Sequence, residues 1–318
     1  MKMLGGIFGL FFMTMKWRAA QCNPSVNGSM EGRGEHHQPF SQPADGVLVK
    51  KNFSSTFRLV FLVGLEGSAH HYFASAFKHL KVTGDDVPEH YYDQCKLMFR
   101  KLGIRKGMMI SPSYYRERIE EARVYMRTLA QYASSLPPED AMPFFCGKNS
   151  YPRLQGPEKV FSYIDLGTLA DLAEDEGIDL RVIYLRRPAR QMVISTTVHR
   201  NFYENLTVTD DTSKGYMEYM RILFTDIAVM QSFLAGLDSK FVVCHDFNYS
   251  GDFDQASRIA EHAVPNEELA KELVVSLVKN APEASLGQEE DLKFEDAEFT
   301  VTRLQRQLDS FEFLYCRR

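Results

Sequence analysis

Between Phe57 and Phe73 the chain reads FRLVFLVGLEGSAHHYF. Leu59 to Val63 is an apolar run of the kind that forms a strand buried on both faces of a parallel sheet. It ends in small residues, Gly64-Leu65-Glu66-Gly67-Ser68-Ala69. A helical pattern follows, with Phe73, Phe77 and Leu80 at i, i+4 and i+7. Strand, tight loop and helix start, in that order, make an anion site. The first amides of a helix have no intrahelical acceptor, and the helix dipole favours negative charge there. Small loop residues let the backbone come close to the ligand.

From Phe57 onward, strand-like and helix-like segments alternate. Phe144–Cys146, Arg181–Leu185 and Phe241–Cys244 are further apolar runs of strand length. Ser111-Pro112 starts a helix that runs to about Ser134. It puts Ile119, Ala122, Met126, Leu129 and Ala133 on one face and most of its arginines and glutamates elsewhere, as in a surface helix. A second helix covers roughly Thr212 to Leu237, and others follow Asp252 and Asn266. This alternation predicts an α/β fold, a mainly parallel sheet with helices on both faces. Ligands of such sheets sit at the carboxyl ends of the strands, where the loop from Gly64 to His71 lies.

Residues 57–318 form the predicted domain. Residues 23–56, rich in Gly, Pro, Asn, Ser, His and Gln, read as a flexible stem. Residues 1–22 read as a signal peptide or short signal anchor. Met3 to Met15 carries no charge, but as a helix it would span roughly 20 Å, less than a bilayer core. Asn27, Asn52, Asn205 and Asn248 stand in N-x-S/T sequons, which also points to the secretory pathway, although Asn205 and Asn248 lie inside the folded region, where a sequon need not be modified. The five cysteines, Cys22, Cys95, Cys146, Cys244 and Cys316, show no C-x-x-C spacing, so a zinc site is not expected. Cys244, inside a strand-like run, reads as a small buried apolar residue. A net charge of −5 gives no basic excess, which argues against nucleic acid as a partner.

The choice of anion turns on what the loop lacks. A nucleoside triphosphatase would need a G-x-x-x-x-G-K-[ST] loop. Here Gly67-Ser68 is followed by Ala69-His70-His71, with no lysine, and G-x-G-x-x-G is absent as well. Residues 181–202, RVIYLRRPARQMVISTTVHRNF, supply a second anion site. A buried strand delivers Arg186 and Arg187 to its carboxyl end, and Pro188 opens a helix where its missing N–H costs nothing. Ser195 follows Arg187 by eight residues, about two turns into that helix. Such a guanidinium and hydroxyl can close on one phosphate.

Together the two stretches resemble the P-loop sulfotransferase superfamily, whose co-substrate is 3′-phosphoadenosine 5′-phosphosulfate (PAPS). Ser68-Ala69-His70-His71-Tyr72 occupies the place of that family's S-G-T-T-W-like core, which binds the 5′-phosphosulfate. Arg187 and Ser195 match its arginine and serine for the 3′-phosphate. His199-Arg200-Asn201-Phe202 and the strand Phe241–Cys244 with its His245-Asp246-Phe247 turn continue the likeness, which spans about residues 57–265. The resemblance implies a P-loop nucleotide-binding architecture. It places cofactor-binding residues at Gly67, Ser68, Ala69, His70, His71, Tyr72, Arg187 and Ser195. The implied reaction is sulfuryl transfer to a hydroxyl or amine of a glycan, protein or small molecule, without a metal. His70 or His71 would serve as base, with His90 and Glu89 as outside candidates. The implied location is the secretory pathway, a Golgi membrane facing the lumen, or outside the cell if the N-terminal segment is cleaved.

Four positions depart from the family. Gly67, preceded by Glu66, stands where a Lys or Arg usually precedes the serine. Ala69 replaces a glycine, and its Cβ disfavours positive φ. His70 and His71 replace hydroxyl residues. Two alternatives therefore stay open: a catalytically inactive nucleotide-binding protein, and a phosphotransferase. Candidate acceptor-lining segments are residues 84–115 and 147–157.

Overall fold

The structure is a computed structural model. It describes residues 57–65, 68–79, 97–99, 101–105, 112–136, 142–146, 154–155, 161–197, 212–282 and 297–316. The N-terminal segment, the stem, Asn27, Asn52, Asn205, His90, Glu89 and the 199–202 tail lie outside these residues, as do most of the two candidate acceptor segments.

The fold is α/β. Its four-stranded sheet is parallel throughout, with β1 (Phe57–Val63), β3 (Met142–Cys146), β6 (Asp179–Arg186) and β7 (Val242–Asp246) in the order β3-β1-β6-β7. Strands β2 (Gly103–Arg105), β4 (Leu154–Gln155) and β5 (Phe161–Ile164) form a small antiparallel sheet in the order β2-β5-β4. These short strands carry no alternating pattern long enough to read from the sequence.

Successive side chains of a strand point to opposite faces, and here both faces are buried. Leu59, Phe61 and Val63 of β1, Phe144 of β3, and Leu180, Val182 and Tyr184 of β6 belong to one core. That core is closed by α2 (Pro112–Ser135), α3 (Leu166–Glu176), α4 (Ala189–Thr197), α5 (Thr212–Leu234) and α8 (Ala297–Tyr315). Val60 and Leu62, Phe145, and Ile183 and Leu185 face the other core, closed by α1 (His70–His79), α6 (Phe253–Ala263) and α7 (Glu267–Lys279). The expected helices on both faces are therefore present, and so are the expected starts of α6 and α7. Asp252 caps α6 by accepting from the Gln255 amide, and Asn266 caps α7 by accepting from the amides of Glu268 and Leu269.

Two readings of single residues are corrected. Cys244 is not a lone apolar filler: it is bonded to Cys316, 72 residues on, which ties β7 to the end of α8. Arg118 does not lie on the solvent face of α2. It is buried and donates to the carbonyls of Lys101 and Gly103 at 2.8 and 3.0 Å, holding the segment that leads into β2. The other charges of α2 behave as surface charges, Arg123 pairing with Asp175 and Arg127 with Glu176 of α3.

Candidate functional site

Strand order locates the crevice. From β1 the chain crosses to β3 on one side, returns past β1 to β6 on the other, and moves on to β7. The direction of winding reverses between β1 and β6. In open parallel sheets the ligand crevice lies outside the carboxyl ends of the strands at such a reversal. The segments leaving those two ends are Gly64–Ala69 and Arg187-Pro188, which carry the two motifs singled out in the sequence.

The first segment packs tightly against its neighbour. At Gly64 an added Cβ would stand 2.5 Å from Ser68 Oγ and 2.8 Å from Leu185 Cβ of β6, so only glycine fits. The Ser68 amide and hydroxyl both donate to the Leu65 carbonyl, at 3.0 and 2.5 Å. Ser68 is buried, its hydroxyl turned into the loop. Ala69 takes φ +74°, the left-handed conformation to which glycine is best suited. Its carbonyl accepts from the Tyr72 amide as α1 begins. His70 opens the helix buried and His71 follows it exposed. Tyr72 is directed into the protein, where its hydroxyl donates to the Leu277 carbonyl of α7 at 2.6 Å. Burial raises its pKa. Gly67 lies outside the described residues.

Arg187 follows directly on the last residue of β6. Its guanidinium lies 4.1 Å from the centroid of the Phe247 ring, and Nε donates to Gln191 Oε1 at 3.3 Å. Stacking and the hydrogen bond together fix the plane of the fork. Ser195 is half-buried on α4, two turns further along. Neighbouring arginines are otherwise engaged, Arg186 with Asp246 at 3.4 Å and Arg190 with Glu298 of α8. Gln305 of α8 accepts from the Ala189 amide at 2.8 Å, covering one donor at the start of α4.

Beneath α1, His245 of β7 is sealed between Tyr72 and Phe73. The side-chain Nε2 of Gln255 donates to its Nδ1 at 3.1 Å, leaving Nε2–H of the ring to face the Ser250 hydroxyl at 3.3 Å. Desolvation pushes its pKa down to about 3, so the ring is neutral. It is a structural support of the crevice floor.

Phe247 and Gln191 escape a reading of the sequence alone. Gln191 could have been found as the i+4 neighbour of Arg187. Phe247 becomes visible only once β7 is paired with β6, Arg186 opposite Asp246. A surface cavity of about 380 Å³ lies near the start of α6, lined by Tyr249, Asp252, Gln255 and Arg258 among others, and none of the anion-motif residues lines it. No group of residues suited to a metal ion occurs among the described residues.

Compared with protein-family models, with curated proteins and with solved structures, the chain matches none.

Proposed function

We propose that the chain is a divergent PAPS-dependent sulfotransferase of the secretory pathway, built on a P-loop sulfotransferase-like architecture. One observation carries this reading: the winding reversal between β1 and β6 brings together the loop of Ser68–His71 and the strand end of Arg187. A ligand with phosphate groups at both ends is suited to that pair of sites. Arg187, held flat on Phe247, would take the 3′-phosphate with Ser195. The first turn of α1 would face the 5′-phosphosulfate.

In the reaction an acceptor oxygen or nitrogen attacks sulfur in line, and the bond between sulfur and the bridging oxygen of the 5′-phosphate breaks. The acceptor's proton passes to a base, and the 3′,5′-bisphosphate leaves with the negative charge. His71, exposed at the helix start, is the better placed of the two histidines to meet an acceptor from solvent. His70, buried beside it, is suited to donating to a sulfuryl or phosphate oxygen. Fixed donors of this kind usually supply the largest catalytic term.

A second reading, nucleotide binding without transfer, is favoured by the inward turn of the Ser68 hydroxyl. Calorimetric titration with 3′-phosphoadenosine 5′-phosphate tests what the two readings share. We expect binding, and we expect Arg187→Ala to weaken it by a factor of about 10–150, the loss of one charge-assisted contact of about 1.5–3 kcal/mol. Equal affinity in R187A would remove Arg187 from the site. Binding of ATP with magnesium in place of the bisphosphate would assign the crevice to phosphoryl transfer. Transfer of labelled sulfate from PAPS to an acceptor panel, lost in His71→Ala, separates the active reading from the inactive one.

A further inference from the structure

We infer that Asn248 carries an N-linked glycan at the rim of the crevice. The inference rests on the secretory reading above. Asn248-Tyr249-Ser250 is a sequon on the 3-10 turn Phe247–Tyr249 that leaves the carboxyl end of β7. The Asn248 side chain is exposed, while its amide is held by Asp246 Oδ1 at 3.0 Å. Its carboxamide takes no part in the hydrogen bonds of this turn among the described residues. Among the described residues, Tyr249 and Phe253, 44% and 66% exposed, are two of the few large apolar side chains open to solvent, and a glycan on Asn248 would lie beside the adjoining Tyr249.

The Cys244–Cys316 bridge supports the assignment twice. A disulfide that ties a strand to a helix belongs to an oxidising compartment, where sequons meet the glycosylation machinery. It also sets a timetable. In the folded protein the Ser250 hydroxyl is buried and donates to the Phe247 carbonyl, so the sequon is unreadable once the turn closes. Cys316 lies 72 residues after Cys244. At roughly 5–20 residues per second, synthesis of that stretch takes about 4–14 s. During that interval α8 cannot dock and the bridge cannot close. The Asn248 Nδ2 can then attack the anomeric carbon of a polyprenyl-diphosphate-linked oligosaccharide. A C–N bond forms, the anomeric C–O bond breaks, the carrier leaves as the diphosphate, and the amide proton is lost to a base of the transferase.

One tryptic peptide, residues 241–258, holds both Cys244 and Asn248. The full chain would be made in a human cell line and digested without reduction. That peptide would be read by mass spectrometry before and after enzymatic release of N-glycans in heavy-oxygen water. The expected result is an occupied Asn248, converted to labelled Asp on release, on a peptide bridged to residues 307–317. Asn248→Gln should shift the intact protein by the mass of one glycan. A bridged peptide with bare Asn248 would overturn the inference and leave the secretory reading intact. A free Cys244 thiol with bare Asn248 would overturn both.

Discussion

At Gly64 the neighbour that blocks a side chain is the Leu185 Cβ, 2.8 Å from the added atom and fixed to the backbone of β6. Gly64→Ala must therefore push the loop away from β6, and we expect a loss of about 1–3 kcal/mol in urea unfolding. An unchanged midpoint would show that the two segments do not approach so closely. Ala69 behaves in the opposite sense. A left-handed alanine costs roughly 1–2 kcal/mol, offset in part by the ~0.4–1 kcal/mol that glycine adds to the unfolded chain's freedom. Ala69→Gly should raise stability by up to about 1.6 kcal/mol, whereas at the buried helical Ala76 the same change should lower it. The sequence made the need for small residues here legible, but an alanine at position 69 argued against the left-handed φ that it takes. It did not reveal that the Ser68 hydroxyl turns inward, because the acceptor is a carbonyl three residues away that only the folded turn presents.

Elements were legible where they are long or capped. The apolar run of β1, the Ser111-Pro112 start of α2, and the caps Asp252 and Asn266 all correspond to observed ends. The strands of the small sheet were not, since two to four residues carry no period. Nor was the link between β7 and α8, because the spacing of cysteines does not determine their partners. Closing a loop of 72 residues restricts the unfolded chain by about 4 kcal/mol on the chain-entropy account. Cys244→Ser with Cys316→Ser should therefore cost about 2–4 kcal/mol, and the loss should not grow when reductant is added. Hydrogen exchange should rise first in α8, whose Gln305 and Glu298 also reach α4.

At the opposite end of the sheet from the crevice, Arg58 fastens β1 to the end of α6. It donates to the carbonyls of Glu261, His262 and Val264 at 2.6, 3.1 and 2.8 Å, and to Asp179 at 3.1 Å. Arg58→Met would strand those acceptors and should cost about 2–3 kcal/mol, with the proposed affinity for 3′-phosphoadenosine 5′-phosphate unchanged because the crevice lies at the other strand ends. A comparable loss of affinity would mean that the two ends of the sheet are coupled.

Two buried histidines make the stability of the whole molecule depend on pH. Desolvation lowers His245 to about 3. Desolvation, reinforced by the nearby Arg181, lowers His262 to about 4. Both are neutral in the folded state, while in the unfolded chain they take up protons near pH 6.5. The unfolded state thus binds more protons as pH falls through 6.5, and the stability tied to neutral rings, present above that value, is lost on acidification. Each histidine should contribute a loss of about 2 kcal/mol between pH 7 and 5, so the two together remove about 4 kcal/mol. For His262 the decline should flatten near pH 4, where the folded protein begins to protonate it, and for His245 nearer pH 3. Urea unfolding at pH 7, 6 and 5 measures the slope directly. His262→Gln should remove about half of it, and a slope unchanged in that variant would show that His262 titrates normally in the fold.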